Sequence, residues 1–342
     1  MMELRGALIG CGFFAANHLH AWQDIPGARI VALCDRDPAR LADYGDKFGI
    51  QSRYTDAADL FVREKLDFVD IATTAGTHRL LVEMAAQHRV PTICQKPFAP
   101  SMEDAEAMVR ACEAAGIPLM VHENFRWQTP IQAVADVIRS GRIGKPFFAR
   151  VSFRSAYDVF SGQPYLAEGE RFIIEDLGIH ILDVARFLLG DASRITARTQ
   201  RVNPAIRGED VATMLLDHAS GATSVVDCSY ATRLATEPFP ETLVEVDGSD
   251  GSIRLGQGYQ MVVTSPQGVE TTDVAPALLP WATRPWHNIQ ESVLAIQNHW
   301  IECLRQRQEP TTSGHDNLKT FALVEAAYRS AGTGQTIDLT NG

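Results

Sequence analysis

The sequence predicts an α/β protein in which a parallel sheet flanked by helices is followed by a second region of mostly antiparallel strands. Three observations carry this prediction. Over the first 125 or so residues, short apolar runs alternate with helix-patterned segments. After about residue 145, period-two runs are separated by Ser-Gly, Asp-Gly and Gln-Gly turns. The first apolar run also leads into a glycine-rich turn that opens a helix. At 342 residues the chain is long enough for two domains.

Five near-continuous apolar runs in the first region are typical of parallel strands buried on both faces. They are "LRGALIGC", "ARIVALCD", "LDFVDIAT", "RVPTICQK" and "IPLMVHEN". Helix-patterned segments lie between them, such as "DAEAMVRACEAAG", which Gly116 closes. Ligands of such sheets bind at the carboxyl ends of the strands.

The second region has the pattern of an antiparallel meander. Its strand-like runs are "ARVSFRSA", "ATMLLDHASGATSVVDCSYAT", "TLVEVDGSDGSIRLG" and "YQMVVTSPQGVETTD". Helices are expected near 172–189, from about 287 to 306 and near 314–331, where the last precedes "QTIDL".

Composition excludes several classes of partner. The net charge of −11, from 31 Lys and Arg against 42 Asp and Glu, argues against nucleic acid and anionic membranes, because both bind clustered cations. No apolar stretch approaches the roughly 20 residues of a membrane span, and the N-terminus lacks a signal-peptide pattern. The six scattered cysteines have no CxxC spacing, so we expect reduced thiols in a cytoplasmic protein.

The glycine-rich turn has the spacing G-x-G-x-x-A, formed by Gly10, Gly12 and Ala15. Such a turn lets a pyrophosphate approach the backbone at a helix N-terminus. Asp35 ends the second strand and is placed to accept both ribose hydroxyls of an adenosine. A carboxylate there favours NAD over NADP, although the adjacent Arg36 weakens that preference. A nucleotide-free sheet or an S-adenosylmethionine site remains the alternative.

A lysine follows the fifth strand-like run in "ICQKPF". Pro97 ends the strand, so Lys96 is expected at the carboxyl edge of the sheet, where a nicotinamide would lie. A lysine at that edge can hold a substrate hydroxyl or pass on a proton. Taken alone, a lysine at a strand end is more often simply solvated.

The predicted helix in "FIIEDLGIHILDVARFLLG" is apolar on nearly all sides, yet it carries Asp176, His180 and Asp183. At about 100° per residue these three side chains fall on one stripe. Asp176 can fix the tautomer of His180, which makes the pair a candidate acid–base unit. For Asp183 a structural role is favoured, such as pairing with Arg186. The sequence shows no HExxH and no second histidine at helical spacing, so no metal is expected.

Together these motifs resemble the glucose-fructose oxidoreductase, inositol dehydrogenase and rhizopine-catabolism (Gfo/Idh/MocA) family over essentially the whole chain. The residues that carry the resemblance are Gly10 to Ala15, His18, Asp35, "TTAGTH" ending in His78, Lys96-Pro97, "ENFRW" and "EDLGIHILD". The resemblance implies a Rossmann domain at 1–125 and, at 126–342, an α/β domain with a large, mostly antiparallel open sheet. It also implies an NAD(P)-dependent sugar or polyol dehydrogenase that forms a homodimer or homotetramer through the sheet. The helix near 314–331 is expected to pack back on the Rossmann domain.

The resemblance also implies roles for single residues. The catalytic residues are Lys96, Asp176 and His180. The cofactor-binding residues are Gly10, Gly12, Phe13, Phe14, Asp35, Arg36, Thr73, Thr74, His78, Gln95 and Lys96. The substrate-binding residues are Lys96, Asp176 and His180. Apart from the resemblance, Glu123, Arg126 and Arg154 are further substrate-binding candidates, because they lie near predicted strand ends or on the sheet that faces the cofactor. Each of these three is equally well explained as a surface or interface charge.

The sequence departs from the family pattern in two places. Gln95 stands where an acid usually precedes the lysine, and "GERFIIED" lacks the glycines usual before the aspartate. The second departure, with "SFRSAYDVFSGQPY" and "RPWHNIQES", resembles the branch that includes D-apiose dehydrogenase. That branch implies oxidation of the anomeric hydroxyl of an aldose to a lactone. An inositol or other polyol dehydrogenase, or a non-catalytic NAD(P) sensor, remains the alternative.

Overall fold

The computed structural model describes residues 3–340, which divide into two units. The first unit comprises the chain through Glu123 together with Val293–Leu318. The second comprises Asn124–Ser292 and the chain from Lys319 onward. The boundary predicted from the sequence is 125/126, with the helix near 314–331 expected to return to the first domain.

The first unit contains a six-stranded, wholly parallel sheet whose order is β3-β2-β1-β4-β5-β6. Its strands are β1 Leu4–Ile9, β2 Ala28–Cys34, β3 Ser52–Tyr54, β4 Phe68–Ile71, β5 Thr92–Gln95 and β6 Leu119–His122. Its helices are α1 Ala15–Asp24, α2 Pro38–Phe48, α3 Ala57–Arg63, α4 His78–Gln87 and α5 Met102–Ala115. This strand order is that of a Rossmann fold, with the reversal between β1 and β4. Every residue of β4, β5 and β6 is buried, as the continuous apolar runs predict.

Local signals fix the helix ends in this unit. Asp37 caps α2, because its side chain accepts hydrogen bonds from the amides of Ala39 and Arg40. Ser101 caps α5 by accepting from the amide of Asp104, and Gly116 ends α5 in the left-handed region at φ +68°.

The second unit is built on a nine-stranded sheet of order β14-β13-β12-β11-β7-β10-β9-β8-β15. Its strands are β7 Pro146–Arg154, β8 Ala192–Gln200, β9 Val211–His218, β10 Thr223–Ser229, β11 Leu243–Gly248, β12 Gly251–Leu255, β13 Gln260–Ser265, β14 Gly268–Asp273 and β15 Ile337–Asp338. All neighbours pair antiparallel except β7 and β10. The predicted fold class, a Rossmann fold followed by a mostly antiparallel open sheet, is therefore confirmed.

The remaining helices are α6 Thr129–Arg139, α7 Ile179–Leu189, α8 His287–Gln306 and α9 Gly314–Thr333. The unit boundaries fall inside α8 and α9. The start of α9 belongs to the first unit, where a Cβ on Gly314 would lie 2.9 Å from a methyl group of Val109. The rest of α9 belongs to the second unit.

Candidate active site

The turn after β1 requires glycine at one position and leaves open space at another. Gly10 has φ +102°, and a Cβ on it would lie 2.8 Å from the carbonyl oxygen of Ala72. A Cβ on Gly12 would meet nothing within 4 Å. The hydroxyl of Tyr44 donates to the carbonyl of Gly12 at 2.7 Å and holds the turn. This open backbone at the start of α1 fits the predicted pyrophosphate site.

Asp35 lies beside this turn. One carboxylate oxygen accepts the amide of Cys11 at 2.6 Å, and the other accepts the amide of Asp37 at 2.8 Å. Each carboxylate oxygen accepts more than one hydrogen bond, so both can still receive a ribose hydroxyl. The neighbouring Arg36 is exposed, as is Phe13, whereas Phe14 is half-buried at the N-terminus of α1.

The loop after β4 carries Thr73 and Thr74 and leads into α4 at His78. Thr73 is half-buried and its hydroxyl accepts that of Thr77 at 2.8 Å, while Thr74 is exposed. His78 is fully buried, and its two ring nitrogens lie 3.0 Å from the Phe98 carbonyl oxygen and 3.1 Å from that of Thr73. Burial lowers the pKa of His78, and a neutral ring has a single N–H, so it donates to one of these two carbonyls at a time.

Lys96 directly follows β5, as predicted, and is half-buried. Its amide donates to the side-chain oxygen of Gln95 at 2.7 Å. The Gln95 side-chain nitrogen lies 3.1 Å from Nε2 of His18, and Nδ1 of His18 lies 2.8 Å from the carboxylate of Asp70. The sequence reading did not identify Asp70, although an aspartate within a continuous apolar strand is itself a signal of a buried polar partner.

The segment with Asp176 and His180 is not one regular α-helix. Ile174–Gly178 form a π-helical turn, and α7 begins after it at Ile179. Single π-helical turns within helices frequently occur at functional sites. Burial raises the pKa of the Tyr230 phenol, and the negative charge of Asp176 raises it further, so the phenol stays protonated.

His180 is held by an aromatic ring. Its imidazole stacks on Phe125, with ring centroids 4.0 Å apart and planes inclined by 6°. His180 is 5% exposed, and every residue of α7 except Phe187 is buried. The stacking fixes the plane of the imidazole, which a catalytic base requires.

Glu209 and Tyr328 hold the start of the π-helical turn. A Glu209 oxygen accepts the amides of Phe172 and Ile174, each at 3.3 Å, and the Tyr328 hydroxyl at 2.7 Å. The same hydroxyl accepts the amide of Glu175 at 3.3 Å. These contacts satisfy amides that the start of a helix leaves without intrahelical partners. No sequence pattern predicts these contacts, because Glu209 and Tyr328 lie far along the chain from the π-helical turn.

Asp183 pairs mainly with Arg126, whereas the sequence suggests Arg186 as its partner. Arg126 donates to both oxygens of Asp183 through Nε and Nη2, with the Nε contact at 2.6 Å. Thr320 also donates to Asp183 at 2.9 Å, and Arg186 lies 3.9 Å away. Arg126 is 4% exposed and Asp183 is 0% exposed, so this is a buried ion pair.

The two other predicted substrate ligands lie in different surroundings. Glu123 follows β6 in the first unit and is fully buried. Arg154 ends β7, and its guanidinium donates to Asp227 on β10 at 3.0 Å. Side chains alternate along a strand, so Arg154 lies on the opposite sheet face from Phe153, which packs near Phe125. This placement favours the alternative reading of Arg154 as a surface or interface charge.

Two absences complete the description of the site. No helix within residues 3–340 combines the length and the apolar character that crossing a bilayer requires. In the part of the chain that the structure describes, no group of three or more His, Cys, Asp or Glu side chains is arranged to hold a metal ion.

Comparison with known proteins identifies the family. The model of an oxidoreductase family with an NAD-binding Rossmann fold matches residues 4–123, and the model of the GFO/IDH/MocA C-terminal domain matches residues 131–254. The D-apiose dehydrogenase of Rhizobium rhizogenes is 69% identical over 99% of this chain and 98% of that protein. The chain belongs to the GFO/IDH/MocA oxidoreductase family. The predicted family and the predicted NAD-dependent oxidoreductase are thereby confirmed.

Two further proteins are similar to this chain, one in sequence and one in both sequence and structure. The D-apiose dehydrogenase of Paraburkholderia graminis is 64% identical over 98% of this chain and 90% of that protein. A crystal structure of an oxidoreductase from Agrobacterium radiobacter, in complex with NAD+, L-tartaric acid and magnesium, has a TM-score of 0.98 and 69% identity. It covers 98% of both chains.

Proposed function

We propose that this chain oxidises the anomeric hydroxyl of a small aldose to a lactone, with D-apiose as the favoured substrate. One observation carries the proposal: the chain is 69% and 64% identical, over nearly its whole length, to two D-apiose dehydrogenases. The fold and the candidate residues agree with it. The proposed dinucleotide residues follow the carboxyl ends of β1, β2, β4 and β5, where dinucleotides bind in this type of sheet.

The residues fit NAD. Gly10 and Gly12 leave the backbone open for a pyrophosphate, and Asp35 offers two oxygens to a ribose. Thr73 and Thr74 line the loop after β4, and Lys96 follows β5. When bound, NAD supplies the acceptor for the hydride that leaves the sugar carbon.

The remaining chemistry is assigned to the side chains of this chain. Oxidation removes a hydride from the anomeric carbon and a proton from its hydroxyl, and a carbon–oxygen double bond forms. We assign the proton to Nε2 or Nδ1 of His180, whose ring plane Phe125 fixes. Asp176 orients that imidazole and stabilises its charged form. For Lys96, at the end of β5, we propose that it holds a substrate hydroxyl or passes on a proton.

Two of the substrate-positioning residues stay as predictions. Glu123, which is fully buried and follows β6, is proposed to accept a sugar hydroxyl. Arg126 is committed to Asp183 through Nε and Nη2, so any contact with the sugar uses its other nitrogen. Arg154 is assigned to the open sheet face.

We further propose that the open face of the nine-stranded sheet joins copies of the chain into a homodimer or homotetramer. Leu215, Val225, Arg150 and Glu245 form one cross-strand row on this face. Leu215 is 47% exposed, which leaves apolar surface available to a second copy. A Leu215→Arg variant should then be monomeric, as judged by its molar mass from gel filtration coupled to light scattering. A monomeric wild-type protein at micromolar concentration would contradict the proposal.

We propose a cytoplasmic location as well. All six cysteines are free and buried, which fits a reducing compartment. The partner is a small sugar rather than a nucleic acid, because the net charge of −11 repels phosphate backbones.

A panel of sugars with NAD tests the proposed function. Reduced NAD should form with D-apiose faster than with other aldoses or myo-inositol, and the product should be a lactone that hydrolyses to an acid. His180→Ala should lower kcat by about 10² to 10⁴ without weakening NAD binding. The exposed His315 gives a matched control, and His315→Ala should leave kcat unchanged. Tight NAD binding without turnover of any sugar would instead support the sensor, and preference for myo-inositol would support the polyol dehydrogenase.

A further inference from the structure

Within the first unit, a hydrogen-bonded series of buried polar groups connects the backbone of Lys96 to Asp70. The amide of Lys96 bonds to Gln95 at 2.7 Å, Gln95 to His18 at 3.1 Å, and His18 to Asp70 at 2.8 Å. The indole of Trp22 donates to the same Asp70 oxygen at 2.7 Å. His18 and Asp70 are 0% exposed and Gln95 is 9% exposed, so water does not replace a lost partner here.

The backbone amide of Lys96 determines the donor and the acceptor of each hydrogen bond in this series. The Lys96 amide can only donate, so the Gln95 side-chain oxygen must face it, and the Gln95 NH₂ group must face His18. Nε2 of His18 must then accept, which leaves the ring hydrogen on Nδ1. From Nδ1 it is donated to Asp70, a carboxylate that accepts. The Lys96 amide, Gln95, His18 and Asp70 therefore form one hydrogen-bonded series in which each donor faces an acceptor.

We propose that Gln95 and His18 are positioning residues that link the backbone of Lys96 to the buried Asp70 carboxylate. We also propose that this hydrogen-bonded series does not conduct a proton. This inference rests on the proposed role of Lys96 at the reacting hydroxyl. The amide of Gln95 has donors on nitrogen and an acceptor on oxygen, but unlike a carboxyl it does not exchange a proton between them at neutral pH. A proton held at Lys96 thus has no route to Asp70 through these groups.

Replacing Gln95 by glutamate would keep the hydrogen bond to the Lys96 amide and alter the one to His18. One oxygen of Gln95→Glu still accepts the Lys96 amide, but the other has no hydrogen to donate to Nε2 of His18. The contact with Nε2 of His18 then requires one additional proton, either on His18 or on the glutamic acid itself. Leucine removes both contacts and leaves the Lys96 backbone without its partner.

Nitrogen-15 spectra of selectively labelled histidine test the inference independently of turnover. Wild-type His18 should carry its hydrogen on Nδ1 alone, with Nε2 accepting a hydrogen bond. His18→Asn identifies the signal by its loss. A wild-type His18 with its hydrogen on Nε2, or with two hydrogens, would overturn the inference even if the protein oxidised no sugar.

Kinetics test the positioning role. Gln95→Leu should lower kcat by about 10²-fold, because small misplacements of a reacting group cost about that much, and this loss should exceed any change in the KM for the sugar or the Kd for NAD. Gln95→Glu, which keeps the Lys96 contact, should retain more of kcat than the leucine variant. The exposed Gln87 provides the control Gln87→Leu, which should behave as wild type. Wild-type kcat in Gln95→Leu would overturn the positioning role, whereas absence of turnover in the wild type would concern only the proposed function.

Discussion

Replacing Arg126 by methionine removes the main partner of a fully buried carboxylate. Methionine has a similar length and fills the space of the aliphatic part of the side chain, so the variant loses charge rather than volume. Asp183 keeps the hydroxyl of Thr320 at 2.9 Å and the guanidinium of Arg186 at 3.9 Å. The carboxylate is thus poorly compensated rather than isolated.

The expected loss of stability follows from this environment. Removing one member of a buried ion pair typically costs about 3 to 5 kcal/mol. Because Thr320 and Arg186 remain, we expect the lower end, about 3 kcal/mol. For a domain of this size each kcal/mol lowers the unfolding temperature by about 2–4 °C, so a decrease of about 10 °C is expected. Replacing both partners, in Arg126→Met with Asp183→Leu, should recover part of the loss, because no charge is left buried.

Urea-induced unfolding followed by circular dichroism measures this loss. Arg110→Met is the matched control, because Arg110 pairs with Glu106 on an exposed helix face and should change stability by less than about 0.5 kcal/mol. The KM for the sugar is measured in parallel. An Arg126→Met protein of wild-type stability with a strongly raised KM would refute the structural role and identify Arg126 as a substrate ligand.

Three further predictions concern other parts of the chain. Asp35→Ala should lower kcat/KM with NAD by about 10²-fold and shift preference toward NADP, since charged hydrogen bonds contribute about 1.5–3 kcal/mol; unchanged preference in steady-state kinetics would contradict the cofactor assignment. Tyr328→Phe should destabilise the protein by about 1–3 kcal/mol and lower kcat, because Glu209 and the Glu175 amide both lose the hydroxyl; wild-type stability and rate would contradict the capping role. Burial raises the pKa of Cys11 to about 12, so its thiolate fraction at pH 8 is about 10⁻⁴ and grows with pH; rapid alkylation at pH 8, located by mass spectrometry, would contradict that burial.

Features of the first unit could be predicted because the rule that governs them is local. Continuous apolar runs predict the parallel strands, and each candidate then follows from being the next residue after a strand. Gly10, Asp35 and Lys96 all lie at such positions in the structure. Placement at a strand end needs no knowledge of distant residues.

What could not be predicted depends on distant partners. His18 and Asp70 lie 52 residues apart, and their contact exists only once α1 packs on the sheet. Arg126 and Asp183 lie 57 residues apart. A charged residue in an apolar segment predicts that a buried partner exists, but the neighbouring sequence does not identify that partner.

The helix with His180 shows a second limit. Spacing of 100° per residue assumes a regular α-helix, whereas Ile174–Gly178 form a π-helical turn held by Glu209 and Tyr328. The stripe predicted for Asp176 and His180 therefore rested on a geometry that the segment adopts only from Ile179 onward.

Transfer of deuterium from the sugar tests the central claim most directly. D-apiose labelled with deuterium at the anomeric carbon is oxidised with NAD, and the reduced dinucleotide is analysed by mass spectrometry and proton NMR. We predict deuterium at C4 of the nicotinamide, and a slower reaction than with unlabelled sugar. Reduced NAD without the label, or no reduction while NAD remains bound, would contradict the assignment.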